Sequence, residues 1–214
     1  MKIVVRSLSD QTYQIVRRQI LIGSLLPGSP VRQDAIALEL GISKIPLREA
    51  LSRLEHDGLL TSFPNRGYVV RELSAAEAAE VFALRLKLEP EAAAAGAQKA
   101  TAEDQRLAEE ALAALEAEMK SADGDTITAN HHFHMSLIRP GAGLITYQII
   151  DRLHVLAQRY VRVHLQPYGR DARAQQEHRD LLTSWLKRKS PKVETLSVNH
   201  IQGTLNDLLL QLQN

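Results

Sequence analysis

No cysteine occurs anywhere in the 214 residues, which excludes disulfide staples, thiol catalysis and cysteine-ligated zinc. No apolar run approaches the roughly 20 residues of a membrane-spanning helix, and the N-terminus lacks a signal-peptide core. The expected location is the cytoplasm, with no membrane partner. Internal repeats are absent, and the Ala-rich stretches are helix formers rather than low-complexity sequence. What remains is ordinary for a soluble globular protein: 44% hydrophobic and 24% charged residues, in a chain long enough for one or two domains with a proper core.

The formal charges nearly cancel, at +1, but they are spread unevenly. Residues 1–72 hold ten Lys/Arg against seven Asp/Glu, residues 73–130 five against twelve, and residues 131–214 eleven against six. The acidic middle argues against nucleic acid binding over the whole surface, whereas the basic first segment permits it.

The stretch from Val31 to Gly67 reads as two short helices joined by a tight turn, then a small hairpin. Gly41 suits the positive φ that ends the first helix, and Ser43 suits the N-cap of the second. Pro46 falls in the second helix's first turn, where a backbone N–H would have no intrahelical acceptor. Leu47, Ala50, Leu51 and Leu54 then recur at i, i+3, i+4, i+7 and define a buried stripe. The other face carries Lys44, Ile45, Arg48 and Ser52. Such a helix fits a DNA major groove, where its dipole favours phosphate and Arg reaches guanine edges.

Upstream, residues 8–23 read as a helix, with Ser9 or Asp10 as cap and Tyr13, Val16 and Ile20 at helical spacing. Leu26-Pro27-Gly28 ends it with a turn. Residues 32–40 form the next helix, with Ile36 and Leu40 inward. The groove-facing helix stops near His56 at Asp57-Gly58. Residues 60–63 and 68–71 are short strands around the turn Pro64-Asn65-Arg66-Gly67. That hairpin either covers the helix or acts as a wing, its tip residue Arg66 dipping toward phosphates or a minor groove.

Pro27-Gly28, the run from Leu38 through Gly41-Ile42-Ser43-Lys44-Ile45-Pro46-Leu47-Arg48-Glu49-Ala50-Leu51, the segment Leu54 to Leu60, and Arg66-Gly67 resemble the winged helix-turn-helix of the GntR family of bacterial regulators. The resemblance covers residues 8–72 and implies DNA contacts from Arg32, Lys44, Arg48, Ser52, Arg66 and Gly67. Asp34 departs from it. Many relatives place a basic residue there, and Arg32 beside it is the available substitute.

Leu73-Ser74 marks a boundary, and Ser74-Ala75-Ala76-Glu77 has the form of a capping box. Helical periodicity follows almost to the end, with helices expected near 74–98, 102–120, 124–138, 143–165, 172–188 and 191–213. Pro90 is expected to kink the first. Gly124, Pro140-Gly141-Ala142-Gly143, Pro167-Tyr168-Gly169 and Ser190-Pro191 mark the breaks. Strand signals are absent here. The expected fold is therefore mainly α: an N-terminal winged helix-turn-helix over residues 1–72, then an all-α bundle of about six helices over 73–214.

Histidines carry the chemistry of this second half. His134 shares a helix face with Asn130 at i, i+4, and Ile127, Leu137 and Ile138 place it on the apolar stripe. His178 falls with Ala174, Leu181, Leu182 and Trp185, and His200 follows Val193 and Leu196 at helical spacing. Three helices thus each aim one imidazole inward. An unpartnered buried polar group costs about 1–3 kcal/mol, and one shared metal ion satisfies all three, because neutral imidazole ligates Zn²⁺ and Ni²⁺ well. Taken singly, each is more commonly a core histidine bonded to a neighbour. His131 and His132 either compete for the role or are solvated, and His154 and His164 show no clean placement.

Asn130-His131-His132-Phe133-His134, Gln176-Glu177-His178 and Asn199-His200 resemble the metal site of the FCD effector-binding domain, which follows the GntR wing in the FadR subfamily. That family uses an Asp four residues before a His, then two His from later helices. The resemblance places ligands at Asn130, His134, His178 and His200. Arg85-Leu86-Lys87-Leu88-Glu89 likewise resembles the Arg-x-x-x-Glu at the start of that domain, making Arg85 either a carboxylate clamp or a structural ion-pair partner of Glu89. Asn130 departs from the family's Asp and removes the only anionic ligand. Lower metal affinity, partial occupancy and stronger attraction for a carboxylate follow as expectations.

The reading is a ligand-responsive transcription regulator, not an enzyme. A homodimer would present two recognition helices to a pseudo-palindromic double-stranded operator. The family implies a small organic acid or sugar acid as effector and a divalent metal, Zn or Ni, as cofactor. The rival reading is a metal-dependent hydrolase built on the three histidines, against which no Asp or Glu is spaced as an evident general base.

Overall fold

A computed structural model describes residues 7–121, 124–165 and 170–212. The chain divides into two compact units, Met1–Leu73 and Ser74–Asn214.

In the first unit, α1 (Leu8–Leu21), α2 (Gln33–Leu40) and α3 (Lys44–His56) precede a hairpin of β1 (Leu60–Phe63) and β2 (Gly67–Val70). The cap of α1 lies earlier than expected. Ser7 is the N-cap and Asp10 closes a reciprocal capping box with it, while Ser9 is buried. The spacing pattern marks the helix but not which hydroxyl turns back to bond its first free N–H groups. Gly41 takes φ 62° at the end of α2, a conformation open to glycine at little cost. The chain reverses there and α3 starts at Lys44, with Ser43 at the N-cap but without a side-chain cap hydrogen bond.

Leu47, Leu51 and Leu54 on α3, with Val16 of α1 and Leu59, are fully buried and hold the three helices together. Burial of each such side chain contributes about 1.5–3 kcal/mol. Inward residues of α2 are Ile36 and Ala37; Leu40 is only half-buried. The hairpin is antiparallel, pairing Leu60 with Val70 and Phe63 with Gly67, so β2 starts one residue before Tyr68. Its turn uses Asn65 at φ 62°. Residues 28–31 tie the hairpin to the helices, through Val31 N–H to Tyr68 O at 2.8 Å and Val70 N–H to Ser29 O at 2.9 Å.

The second unit holds α4 (Ala75–Lys99), α5 (Ala102–Lys120), α6 (Thr126–Ile138), α7 (Leu144–Leu165), α8 (Arg170–Leu186) and α9 (Ser190–Leu212). The expected break at Pro167-Tyr168-Gly169 and the end at residue 213 lie outside the described residues. Among the described residues no helix is long and apolar enough to cross a membrane.

Only half of the Ser74 capping box forms. Ser74 Oγ accepts from Glu77 N–H at 3.3 Å, but Ser74 N–H donates to Tyr160 Oη at 3.2 Å. The Glu77 carboxylate is taken by Arg159 Nη2 at 2.7 Å. A charged partner on α7 thus outcompetes the local backbone donor, which fits the greater strength of charge-assisted hydrogen bonds. Helix α4 runs uninterrupted from Ala75 to Lys99 through a buried Pro90.

The bundle's core centres on Phe133, Leu137, Trp185, Leu115, Ile150 and Val193. Trp185 satisfies its indole N–H on Leu137 O at 3.1 Å. Helix α4 passes so close to this point that a methyl group placed on Gly96 would lie 2.1 Å from Leu137 O.

Candidate metal centre and nucleic-acid face

Helix α6 delivers His134, α8 delivers His178 and α9 delivers His200, and their ligand-capable atoms all lie within 4.8 Å of one another. Ring centroids are 5.1 Å apart for His134 and His178, 5.1 Å for His134 and His200, and 4.8 Å for His178 and His200. The expected apolar stripes explain this convergence. Leu137 and Ile138 flank His134, Leu181, Leu182 and Trp185 follow His178, and Val193 precedes His200, all buried.

Burial disfavours the charged form of two of the three rings, His134 and His178. Burial drives the His134 pKa well below its ordinary value, with further lowering from His178, His200 and His154. Burial and the proximity of His200 do the same to His178. Both ring nitrogens of His178 are buried without any hydrogen-bond partner. That omission is costly for a bundle, and it is what an imidazole waiting for an electrophile looks like. The donor set, three neutral imidazoles around a common cavity, fits a divalent transition metal. His200 differs from the other two: its Nδ1 meets Glu177 Oε2 at 2.7 Å.

A cavity of about 50 Å³ adjoins the histidines, and Asn130, Arg85 and Thr204 line it with them. Asn130 therefore shares the space with His134, His178 and His200. Among the described residues no Asp or Glu lines this cavity, whereas Glu89 lines a smaller neighbouring cavity that it shares with His134 and His200.

Arg85 is buried and bound two-pronged to Glu89, Nε to Oε1 at 2.6 Å and Nη2 to Oε2 at 3.2 Å. Its guanidinium also stacks on Phe82, 4.8 Å from the ring centroid. The ion pair anticipated as one of two roles for Arg85 is thus formed, within a side chain that also faces the cavity. Burial alone would raise the Glu89 carboxyl, but the Arg85 charge, aided by His154, reverses the sign and keeps it ionised.

His154 had no clear sequence placement, yet it is buried in this cluster. Its Nε2 lies 3.1 Å from Glu89 Oε2, and its ring packs 5.5 Å from that of His134. Burial outweighs the pull of Glu89 and lowers the His154 pKa to about 4. Its only local cue is position on an apolar helix, because Arg85 and Glu89 lie more than 60 positions earlier in the chain. His131 is a partnered histidine, with Nε2 2.8 Å from Asp151 Oδ1, and His132 is exposed. The side chain of His164 lies outside the described residues.

In the first unit Lys44, Ile45, Arg48 and Ser52 are exposed along one face of α3, and Arg66 is exposed at the hairpin turn. Gly67 follows it at φ 74°. Arg32 is the exposed N-cap residue of α2. Lys44 Nζ is engaged by Asp34 Oδ1 at 2.6 Å, a bond that holds the Asp34 carboxyl below its ordinary pKa. Among the described residues Arg32, Arg48 and Arg66 make no ion pair, which leaves three guanidinium groups available on this unit.

Comparison with known proteins gives two domain matches. Residues 8–70 match the bacterial regulatory proteins of the gntR family, and residues 80–203 match the FCD domain. The uncharacterized HTH-type transcriptional regulator YdhC of Bacillus subtilis (strain 168) is 30% identical over 130 residues, 60% of this chain and 58% of its own length. The HTH-type transcriptional repressor RspR of Escherichia coli (strain K12) is 25% identical over 199 residues, 91% of this chain and 86% of its own. The solved structure of E. coli McbR/YncC shares the fold, with TM-score 0.81 at 23% identity, over 98% of this chain and 100% of that one.

Proposed function

Because the chain belongs to the GntR family of DNA-binding transcriptional regulators and carries an FCD domain, we propose that its second unit senses a small carboxylate through a metal ion and thereby adjusts operator binding by the first. His134, His178 and His200 would hold the ion, Zn²⁺ or Ni²⁺, with the Asn130 amide oxygen as a weaker fourth ligand. Bound there, a divalent ion supplies Lewis acidity and positive charge facing the cavity. The observation that carries this reading is the His178 ring, buried with both nitrogens unpartnered beside two more imidazoles.

Arg85 assists from the cavity wall. Glu89 already neutralises it and fixes its plane, so it offers remaining N–H groups in a set direction rather than a free charge. An organic or sugar acid would thus find its main electrostatic partner in the ion. On the first unit, Arg48 reads base edges, Lys44 and Ser52 sit beside it, and Arg32, Arg66 and the Gly67 backbone approach phosphates or the minor groove. Two copies pairing through their helical units would place two α3 helices on a two-fold operator. Coupling between effector and DNA is reciprocal: an effector that weakens operator binding is itself weakened by operator.

A thermal-shift screen of small carboxylic acids, run with and without Zn²⁺ or Ni²⁺, tests the sensor. The expected result is stabilisation by an acid only when metal is present, with a matching change in operator affinity by fluorescence anisotropy. Metal content by elemental analysis tests the ligand set. Partial occupancy is expected for the natural protein and full occupancy for Asn130→Asp, whereas equal, full occupancy in both would mean that Asn130 does not limit metal affinity.

A further inference from the structure

We propose that Glu177 supplies, from outside the ligand set, the negative charge that Asn130 fails to supply within it, acting through His200. The inference rests on the reading that the three histidines hold a metal ion. Three neutral imidazoles and an amide leave a divalent ion with its full charge, and no carboxylate lines the cavity among the described residues. The buried acid near the site, Glu89, is committed to Arg85 and His154. Glu177 is placed differently. It precedes His178 on α8, yet its Oε2 reaches across to His200 Nδ1 on α9 at 2.7 Å.

That contact has two consequences. With Nδ1–H donating to the carboxylate, His200 is held in the tautomer whose lone pair sits on Nε2, ready for an ion. The carboxylate also makes the imidazole a stronger donor, since the positive charge that coordination draws onto the ring is shared with Glu177. His178 has no such partner on either nitrogen, so the three imidazoles are not equivalent and His200 is the strongest donor of the set. Glu177 is itself held in place: its Oε1 lies 3.3 Å from Arg173 Nε, and Arg173 Nη2 is anchored on Asp207 Oδ2 at 2.7 Å. Glu177 is thus a positioning residue that also ties α8 to α9 across the site.

The test uses the full chain, Zn²⁺ competition against a chromophoric chelator at fixed pH, and the near-isosteric Glu177→Gln. Zn²⁺ affinity is expected to fall about 10- to 100-fold, while the melting temperature of the metal-free protein falls by no more than about 2–4 °C. Imidazole ¹⁵N shifts provide a readout that a merely structural role would not move: His200 is expected to be protonated at Nδ1 in the natural protein and mixed between tautomers in Glu177→Gln. In an Asn130→Asp background, where a ligand restores the charge, the same change is expected to cost less than about threefold, the coupling that a double-mutant cycle isolates. An undiminished loss in that background overturns the compensation. Affinity unchanged in Glu177→Gln overturns the role of Glu177 and leaves the metal site standing. Absence of Zn²⁺ binding by the natural protein overturns both together.

Discussion

Lys44 Nζ and Asp34 Oδ1 meet at 2.6 Å, joining the first turn of α3 to the first turn of α2. Both side chains are largely exposed, so the pair adds little to folding. Its importance is competitive. A phosphate approaching this edge meets a cation already engaged by an acid, and the acid itself repels the phosphate.

Removal of that acid should strengthen nonspecific DNA binding. In Asp34→Ala, Lys44 is released to neutralise one phosphate, and the slope of log affinity against log salt is expected to steepen by about 0.9. Anisotropy titrations over a salt series on random-sequence duplex measure it. An unaltered slope would mean that Lys44 does not reach the backbone.

Arg48 makes the complementary prediction, because it is exposed on α3 and makes no ion pair among the described residues. Arg48→Ala is expected to cost about 1–3 kcal/mol of discrimination between operator and nonoperator DNA. A competition gel shift reads this directly. Operator affinity equal to that of the natural protein would remove Arg48 from base readout.

His178→Leu should trade function for stability. It replaces two orphaned buried nitrogens by an apolar side chain, relieving a penalty of about 1–3 kcal/mol. The metal-free melting temperature is expected to rise by several degrees, since 1 kcal/mol moves a chain of this size by about 2–4 °C. The same variant should show no further stabilisation by Zn²⁺. A lower melting temperature by calorimetry would mean that the imidazole is satisfied after all.

The metal-free protein should also lose stability in mild acid. His134, His178 and His154 all have pKa values depressed by burial. The unfolded chain therefore takes up protons before the folded one, and stability falls as pH drops below about 6.5. His154, held near 4, contributes a loss on the order of 3 kcal/mol once the pH has passed its folded value. Above pH 7 the curve should be flat with respect to these groups. Urea melts between pH 8 and pH 5 measure the slope, and a stability independent of pH in that window would contradict the burial of these rings.

Local periodicity was enough to locate the helices, because the positions of Leu47, Leu51 and Leu54, or of His134 and Leu137, follow from which face of a helix is apolar. The three histidines were legible for the same reason: each interrupts an apolar stripe. What escaped was pairing across long separations. Ser74 and Glu77 have the spacing of a capping box, but nothing nearby reveals that Arg159 and Tyr160 will claim them. His154 was unreadable because Arg85 and Glu89 approach it from another helix. The Asp34–Lys44 contact depends on the turn at Gly41 folding two helix N-termini together, which no periodicity encodes.

The seam at Gly96 bears on how a signal would travel. With Leu137 O filling the place of a side chain there, α4 and α6 have no slack to slide past each other, and side-chain rearrangement cannot absorb a displacement of one against the other. A displacement of α6 near His134 would therefore be felt directly by α4. That helix begins at Ala75, immediately after the boundary between the two compact units in the chain, so in the proposed sensor it is the element of the second unit through which such a displacement would reach that boundary.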